Sequence, residues 1–155
     1  MNELPHRYSV VASAKPVGSV WLDGDNLQTL DTALPAQFGG TGDRWSPEML
    51  FVGAVATCLA LTFRGVARAR RLTWTSFRCE AEGVLDRVDG VLQFTSIHIH
   101  VHVSVPPGAE SAIADLQDAI DRAERTCLVS NSLKSDVRVD AHAYVDESVE
   151  AHAVA

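Results

Sequence analysis

The stretch Ser46-Pro47-Glu48-Met49-Leu50-Phe51-Val52-Gly53-Ala54-Val55-Ala56-Thr57-Cys58-Leu59-Ala60-Leu61-Thr62-Phe63 decides how the rest of the chain is read. It begins as a helix should, with a serine at the cap, a proline at the first helical position and the Glu48 carboxylate in the first turn. From Met49 to Phe63 it is apolar almost all round, relieved only by Gly53, Thr57 and Thr62. A transmembrane span needs about 20 apolar residues. This run is shorter and is followed at once by Arg64, Arg68, Arg70 and Arg71, cations that suit the negative end of a helix dipole. The pattern predicts a central helix buried on most sides. Such burial is unusual for a small monomer, so a second copy of the chain is expected to cover part of it.

Beyond the helix the period drops to two, with Phe77, Cys79, Ala81 and Gly83 facing one way and Arg78, Glu80 and Glu82 the other. Val88-Asp89-Gly90-Val91 predicts a hairpin, because Asp-Gly tolerates the positive φ angles of a type I′ turn. The return strand places Ile97, Ile99, Val101, Val103 and Val105 inward, and Ser96, His98, His100, His102 and Ser104 outward. A second helix is expected over 109–125, with Ile113, Leu116, Ile120 and Ala123 forming one apolar stripe. Cys127 sits at its end. Ser130-Asn131-Ser132-Leu133-Lys134 then leads to a last strand with Val137, Val139, Ala141 and Ala143 on one face. Before the central helix, Tyr8, Val10, Val20, Leu22, Leu27 and Leu30 alternate loosely between turn signals, which suits a short meander. Gly39-Gly40-Thr41-Gly42-Asp43 reads as a flexible connection. The order predicts an α+β fold, a mostly antiparallel sheet packed on two long helices. With no repeat or linker visible, residues 1–147 are expected to form a single domain, and 148–155 a disordered tail.

The chain has 155 residues, 46% of them hydrophobic and 21% charged, enough for one ordinary soluble domain with a proper core. A net charge of −7 argues against a binder of nucleic acid or anionic membrane, which would need a basic footprint. The opening residues MNELPHRYSVVA lack the basic start and apolar centre of an export signal, so the cytoplasm is the expected compartment. Cys58, Cys79 and Cys127 are too few and too scattered for a disulfide scaffold or a zinc ribbon. They are either inert buried thiols or a redox pair with one bystander.

Cys58, in mid-helix, reads on pattern alone as a small buried hydrophobe. Cys127 precedes a short polar segment whose free N–H groups could favour a thiolate. Cys79 faces inward with Phe77 and Ala81, as a core residue would. His98, His100 and His102 share one strand face, the geometry of a metal-binding ribbon, but no carboxylate follows at a metal-barrel spacing. Exposed histidines are the simpler reading, and neither a metal nor another cofactor is expected. Glu110, Asp115, Asp118, Asp121 and Glu124 form a solvated acidic helix face. Trp45, Phe51 and Phe63 could line an apolar substrate pocket, although core packing would explain them equally well.

Two motifs carry a resemblance. Ser46-Pro47-Glu48-Met49-Leu50, with Cys58 ten residues after Glu48, and Cys127-Leu128-Val129-Ser130-Asn131-Ser132-Leu133 before a final strand together resemble the OsmC/Ohr family. These are the osmotically inducible and organic hydroperoxide resistance proteins, and the likeness runs from about Gly39 to Val145. It implies an intertwined homodimer acting as a cofactor-free, cysteine-based peroxidase in oxidative-stress defence. By motif, Cys58 matches the peroxidatic cysteine, Cys127 the resolving one, and Glu48 the helix-start glutamate that orients an arginine toward the thiolate. The implied chemistry is attack by the Cys58 thiolate on an organic hydroperoxide, leaving a sulfenic acid that Cys127 condenses to a disulfide. An external dithiol, by likeness a lipoylated protein, then restores both thiols.

Spacing adds an independent argument. Ten residues at about 1.5 Å each put Glu48 roughly 15 Å from Cys58 along one helix, too far to act within a chain. Their midpoint is Gly53, where two helices could approach closely. If two copies cross antiparallel there, Glu48 of one protomer lies near Cys58 of its partner, giving two symmetric composite sites. The arginine is a departure: the N-terminal stretch Ala12-Ser13-Ala14-Lys15-Pro16 has none, so Arg44 is the expected substitute. Leu128 also stands where the family usually has proline, which points to a general OsmC-like subgroup. Two rival readings are a non-catalytic OsmC-like dimer holding a small apolar ligand, and a metal-binding module on the His98-His100-His102 face.

Overall fold

The computed structural model describes residues 3–148. The segment 148–155, expected as a disordered tail, lies outside the described residues apart from Ser148. The chain divides into two compact units, with the boundary between Phe51 and Val52, inside the central helix.

The N-terminal unit is the expected meander. Strands β1 (Val11–Ala14), β2 (Val20–Asp23) and β3 (Leu30–Thr32) form an antiparallel sheet in the order β1-β2-β3. The glycine-rich segment that follows is not a free connection. A single 3-10 turn (Ala36–Phe38) precedes it, and the Gly40 N–H donates to the Pro35 carbonyl at 3.0 Å. A Cβ at Gly40 would stand 1.6 Å from the Leu34 carbonyl oxygen, so only glycine fits this tie. The Ala33 N–H donates to the Trp45 carbonyl at 3.0 Å, fastening the helix approach back to β3. Apolar residues of this unit stay largely uncovered: β1 is exposed throughout, as are Val10, Leu27 and Leu34.

Helix α1 (Pro47–Arg70) starts as its sequence predicts, the Ser46 hydroxyl accepting the Met49 N–H at 3.2 Å. At 24 residues it is longer than the Met49–Phe63 run, and by length and composition alone it could cross a membrane. The expectation of burial on most sides does not hold in the single chain. Only Val55, Leu59, Phe63 and Ala67 are buried, one stripe at i, i+4, and just 17% of the most apolar window is covered. Leu61 remains 57% exposed.

That stripe meets the second sheet. Strands β4 (Ser76–Val88) and β5 (Val91–Val105) form a long antiparallel hairpin whose turn residues Asp89 and Gly90 have φ of 50° and 84°. The β5 residues Ile97, Ile99, Val101, Val103 and Val105 are all at most 1% exposed, as the alternation predicts. Phe63 stacks on Phe77 at 4.7 Å between ring centroids and meets Trp74 edge-on at 5.4 Å. At Gly83 the helix comes close to the sheet: a Cβ there would lie 2.6 Å from Val52 Cγ2 on α1, and 2.8 Å from Phe94 Cε1 on β5. Ser104, expected to face outward, is buried, because the Thr75 and Ser76 hydroxyls each lie 2.6 Å from its own.

Helix α2 (Ile113–Thr126) buries Leu116, Ala119, Ile120 and Ala123, close to the predicted stripe. It carries the chain from β5 to β6 (Asp136–Val145), which pairs with β5 in parallel. A helical crossover returns the chain to the end where β5 began, so the new strand must run the same way. The fold is α+β with mostly antiparallel pairing. The one sheet foreseen is instead two three-stranded sheets, the second in the order β4-β5-β6.

Candidate thiol site

Cys58 lies on α1 one residue before the buried Leu59 and is itself half-buried. Cys127 follows α2 directly and is fully buried. The fold brings them close enough for each to shift the other's ionisation, both as free thiols. Cys127 heads a short turn in which its carbonyl accepts the Asn131 N–H at 3.0 Å. The turn is stitched by side chains as well: Asn131 Nδ2 donates to the Arg125 carbonyl at 3.1 Å, and the Ser132 hydroxyl to the Leu128 carbonyl at 2.8 Å. The Ser130 hydroxyl donates to Cys127 Sγ at 3.2 Å.

The two thiols are pushed in opposite directions. Burial raises Cys58, and the hydrogen bond it gives Cys127 raises it further, while the Val129 N–H and the Thr62 hydroxyl pull weakly the other way. Burial also opposes ionisation of Cys127, but hydrogen bonds from Cys58, from the Ser130 hydroxyl and from the Ser130 and Val129 N–H groups outweigh it. In the single chain Cys127 is therefore the more readily ionised of the two, and among the described residues no cation figures in the groups acting on Cys58. The pattern-only expectation of a small buried hydrophobe at Cys58 misses this polar pairing. Cys79 is raised by burial, and its Sγ donates to the Ala56 carbonyl at 3.7 Å, as suits a core residue.

The remaining candidates are placed less simply. Glu48 has one carboxylate oxygen, Oε2, buried without a hydrogen-bond partner. Arg44 is not drawn to it: its Nε pairs with Asp31 Oδ2 at 3.1 Å and its Nη1 lies 3.8 Å from Asp43 Oδ1. The acid on β3 and the acid next to Arg44 compete for the guanidinium, which sequence proximity to Glu48 could not reveal. Trp45 is half exposed and lines a shallow depression of about 250 Å³ with Gly42, Asp43, Arg44 and Met49. Phe51 is half-buried. Phe63 is sealed within the aromatic cluster with Trp74 and Phe77, so it packs the core and cannot wall an open pocket.

His98, His100 and His102 lie along the outer face of β5, opposite Glu82, Glu80 and Arg78 on one side and Arg138, Asp140 and His142 on the other. The closest ion-pair approach is His100 Nδ1 to Asp140 Oδ2, 3.9 Å. Among the described residues no three His, Cys, Asp or Glu side chains are grouped to hold a metal ion. On α2, Asp118 pairs with Arg70 at 2.5 Å and Asp115 is exposed, whereas Asp121 and Glu124 are half-buried and Glu110 precedes the helix, so the acidic face is only partly solvated. Sequence reading missed Thr62, Ser130 and the Val129 N–H. Their signal was spacing: Thr62 lies one helical turn after Cys58, and Ser130 follows Cys127 by three residues in a turn.

Comparison with known proteins agrees with this architecture. The profile of the family described as OsmC-like protein matches residues 40–142. An uncharacterized protein, YmaD, from Bacillus subtilis (strain 168) is 24% identical over 125 residues, covering 80% of this chain and 83% of the relative. An organic hydroperoxide resistance protein from Xanthomonas axonopodis pv. citri is 29% identical over 118 residues, covering 72% of this chain and 78% of its own. A solved OsmC-like protein of unknown function from Vibrio cholerae superposes with a TM-score of 0.82 at 17% identity, covering 89% of this chain and all of that one, a likeness of fold. Because that profile spans about two thirds of its residues, this chain belongs to the OsmC-like protein family.

Proposed function

We propose that the protein is a thiol-dependent peroxidase that reduces organic hydroperoxides in the cytoplasm, with residues 1–147 acting as one OsmC-like domain. The observation that carries this reading is that Cys58 and Cys127, far apart in sequence, come close enough for each to shift the other's ionisation. Cys58, the more exposed thiol, attacks the hydroperoxide and becomes a sulfenic acid, and the alcohol leaves. Cys127 closes the disulfide, and an external dithiol, a lipoylated protein by family likeness, reopens it. No metal or other cofactor takes part.

Activation of Cys58 requires charge that its own surroundings do not supply. We propose that it comes from a second copy. The uncovered α1 face around Gly53 and Leu61 and the uncovered apolar residues of the N-terminal meander support an intertwined homodimer. In it, Glu48 of one protomer stands beside Cys58 of its partner. Arg44 is the cation assigned to Glu48, and it must give up Asp31 to serve there. The unpartnered Glu48 Oε2 supports a missing donor at that point.

One observation favours a rival. The raised Cys58 thiol suits a non-catalytic dimer that holds a small apolar ligand and keeps its cysteines reduced. Peroxide consumption with a dithiol donor separates the two readings. The peroxidase turns over organic hydroperoxide, Cys58→Ser abolishes turnover, and Cys127→Ser stalls after one equivalent. A wild-type chain that consumes no peroxide rejects the proposal.

A further inference from the structure

Resting on the peroxidase reading, we propose that Ser130 is a positioning residue: its hydroxyl holds the Cys127 sulfur as the nucleophile that closes the disulfide and as the group that leaves when the disulfide reopens at Cys58. The Ser130 oxygen lies 3.2 Å from Cys127 Sγ, a hydrogen bond that ties this hydroxyl to the sulfur directly. Its place is fixed by the stitched turn, because the bonds from Asn131 to Arg125 and from Ser132 to Leu128 anchor the residues on its C-terminal side. The backbone N–H groups of Val129 and Ser130 favour the charged form of the same sulfur.

The two steps balance as follows. In closure the Cys127 thiolate attacks the sulfenic sulfur of Cys58; an S–S bond forms, the S–O bond breaks, and hydroxide leaves with a proton as water. In reopening, one thiolate of the external dithiol attacks Cys58 Sγ, the S–S bond breaks, and Cys127 leaves as a thiolate. The donor's second thiolate then attacks the donor sulfur of the mixed disulfide, freeing Cys58 and oxidising the dithiol by two electrons. Accessibility fixes this direction. Cys127 is 0% exposed and a second copy can only bury it further, whereas Cys58 is partly open. A thiol held in its charged form also leaves faster.

The test follows disulfide closure by thiol loss after one equivalent of cumene hydroperoxide, across pH, in wild type, Ser130→Ala and Ser130→Thr. Without the hydroxyl, Cys127 is ionised less at neutral pH, and part of that loss is offset by the greater reactivity of a more basic thiolate. Closure in Ser130→Ala is expected about three- to tenfold slower at neutral pH, converging on wild type as pH rises through the ordinary thiol range, with more sulfenic acid captured by dimedone. Ser130→Thr, which keeps the hydroxyl, restores the wild-type profile. A Ser130→Ala profile identical to wild type, or slowed equally at every pH, overturns the role of Ser130. A wild-type chain that never closes the disulfide overturns the peroxidase reading beneath it.

Discussion

Gly53→Leu separates what a single chain needs from what a pair of chains needs. In one chain, a Cβ at Gly53 would meet nothing within 4 Å, so the leucine side chain has open space. Leucine is also a better helix former than glycine by about 1 kcal/mol, so folding of the isolated chain should be unharmed or slightly favoured. At a twofold crossing centred on Gly53 the result reverses. Each added side chain is overpacked, at about 1–3 kcal/mol per site, and symmetry doubles this to about 2–6 kcal/mol. At about 1.4 kcal/mol per tenfold, the dimer weakens by about thirtyfold to about twenty-thousandfold. Sedimentation velocity over a range of concentrations reads this directly, and thermal unfolding at the same concentrations shows whether the chain still folds. We expect a weakened dimer and a parallel loss of peroxide-driven thiol oxidation, because Glu48 no longer reaches the partner's Cys58. Gly53→Ala should fall between the two. A Gly53→Leu protein that remains a tight dimer, or a monomer with full activity, refutes the crossing.

Other outcomes follow from single contacts. Gly83→Ala forces a methyl against Val52 and Phe94 and should cost about 1–3 kcal/mol in chemical denaturation, with Val52→Ala restoring part of it. If denaturation midpoints are unchanged, the helix–sheet approach at Gly83 is wrong. Asp31→Asn should free Arg44 and speed alkylation of Cys58 at neutral pH, while Arg44→Ala should slow it; unchanged rates in both remove Arg44 from the site. Cys58→Ala removes a donor to Cys127, whose thiolate, seen by ultraviolet absorbance, should then form at higher pH. Because the folded Cys127 value is depressed, its thiolate adds stability above the unfolded thiol value, and that stability fades as pH falls through the folded value. Cys58→Ala also removes a thiol whose raised value costs stability as pH rises, so the readout is the Cys127 titration itself, and an unchanged titration would deny the coupling between the thiols.

The parts of this fold that could be read early were those written in local periodicity. The Ser46-Pro47-Glu48 helix start, the Asp89-Gly90 hairpin and the β5 alternation depend on neighbours in sequence, and each stands where the pattern put it. Non-local pairing was less legible. The parallel docking of β6 on β5 depends on the handed path of α2, and Ser104 was mistaken for a surface residue because Thr75 and Ser76 cover it from another element. At the site, the family motifs marked Cys58 and Cys127, but no motif tells which sulfur carries charge. That is set by the turn after α2, where Ser130 and two N–H groups converge. The single-chain place of Arg44 was illegible for a related reason: nearness in sequence to Glu48 says nothing of Asp31, which lies on β3.

The central claim is that Cys58 and Cys127 form a working redox pair and Cys79 does not. Free thiols are counted in the denatured chain before and after one equivalent of organic hydroperoxide, and again after an added dithiol. Of the three cysteines, two should be lost and then recovered, with peptide mapping linking Cys58 to Cys127 and leaving Cys79 free. Three thiols that survive the peroxide untouched, or a bridge that includes Cys79, would contradict the account.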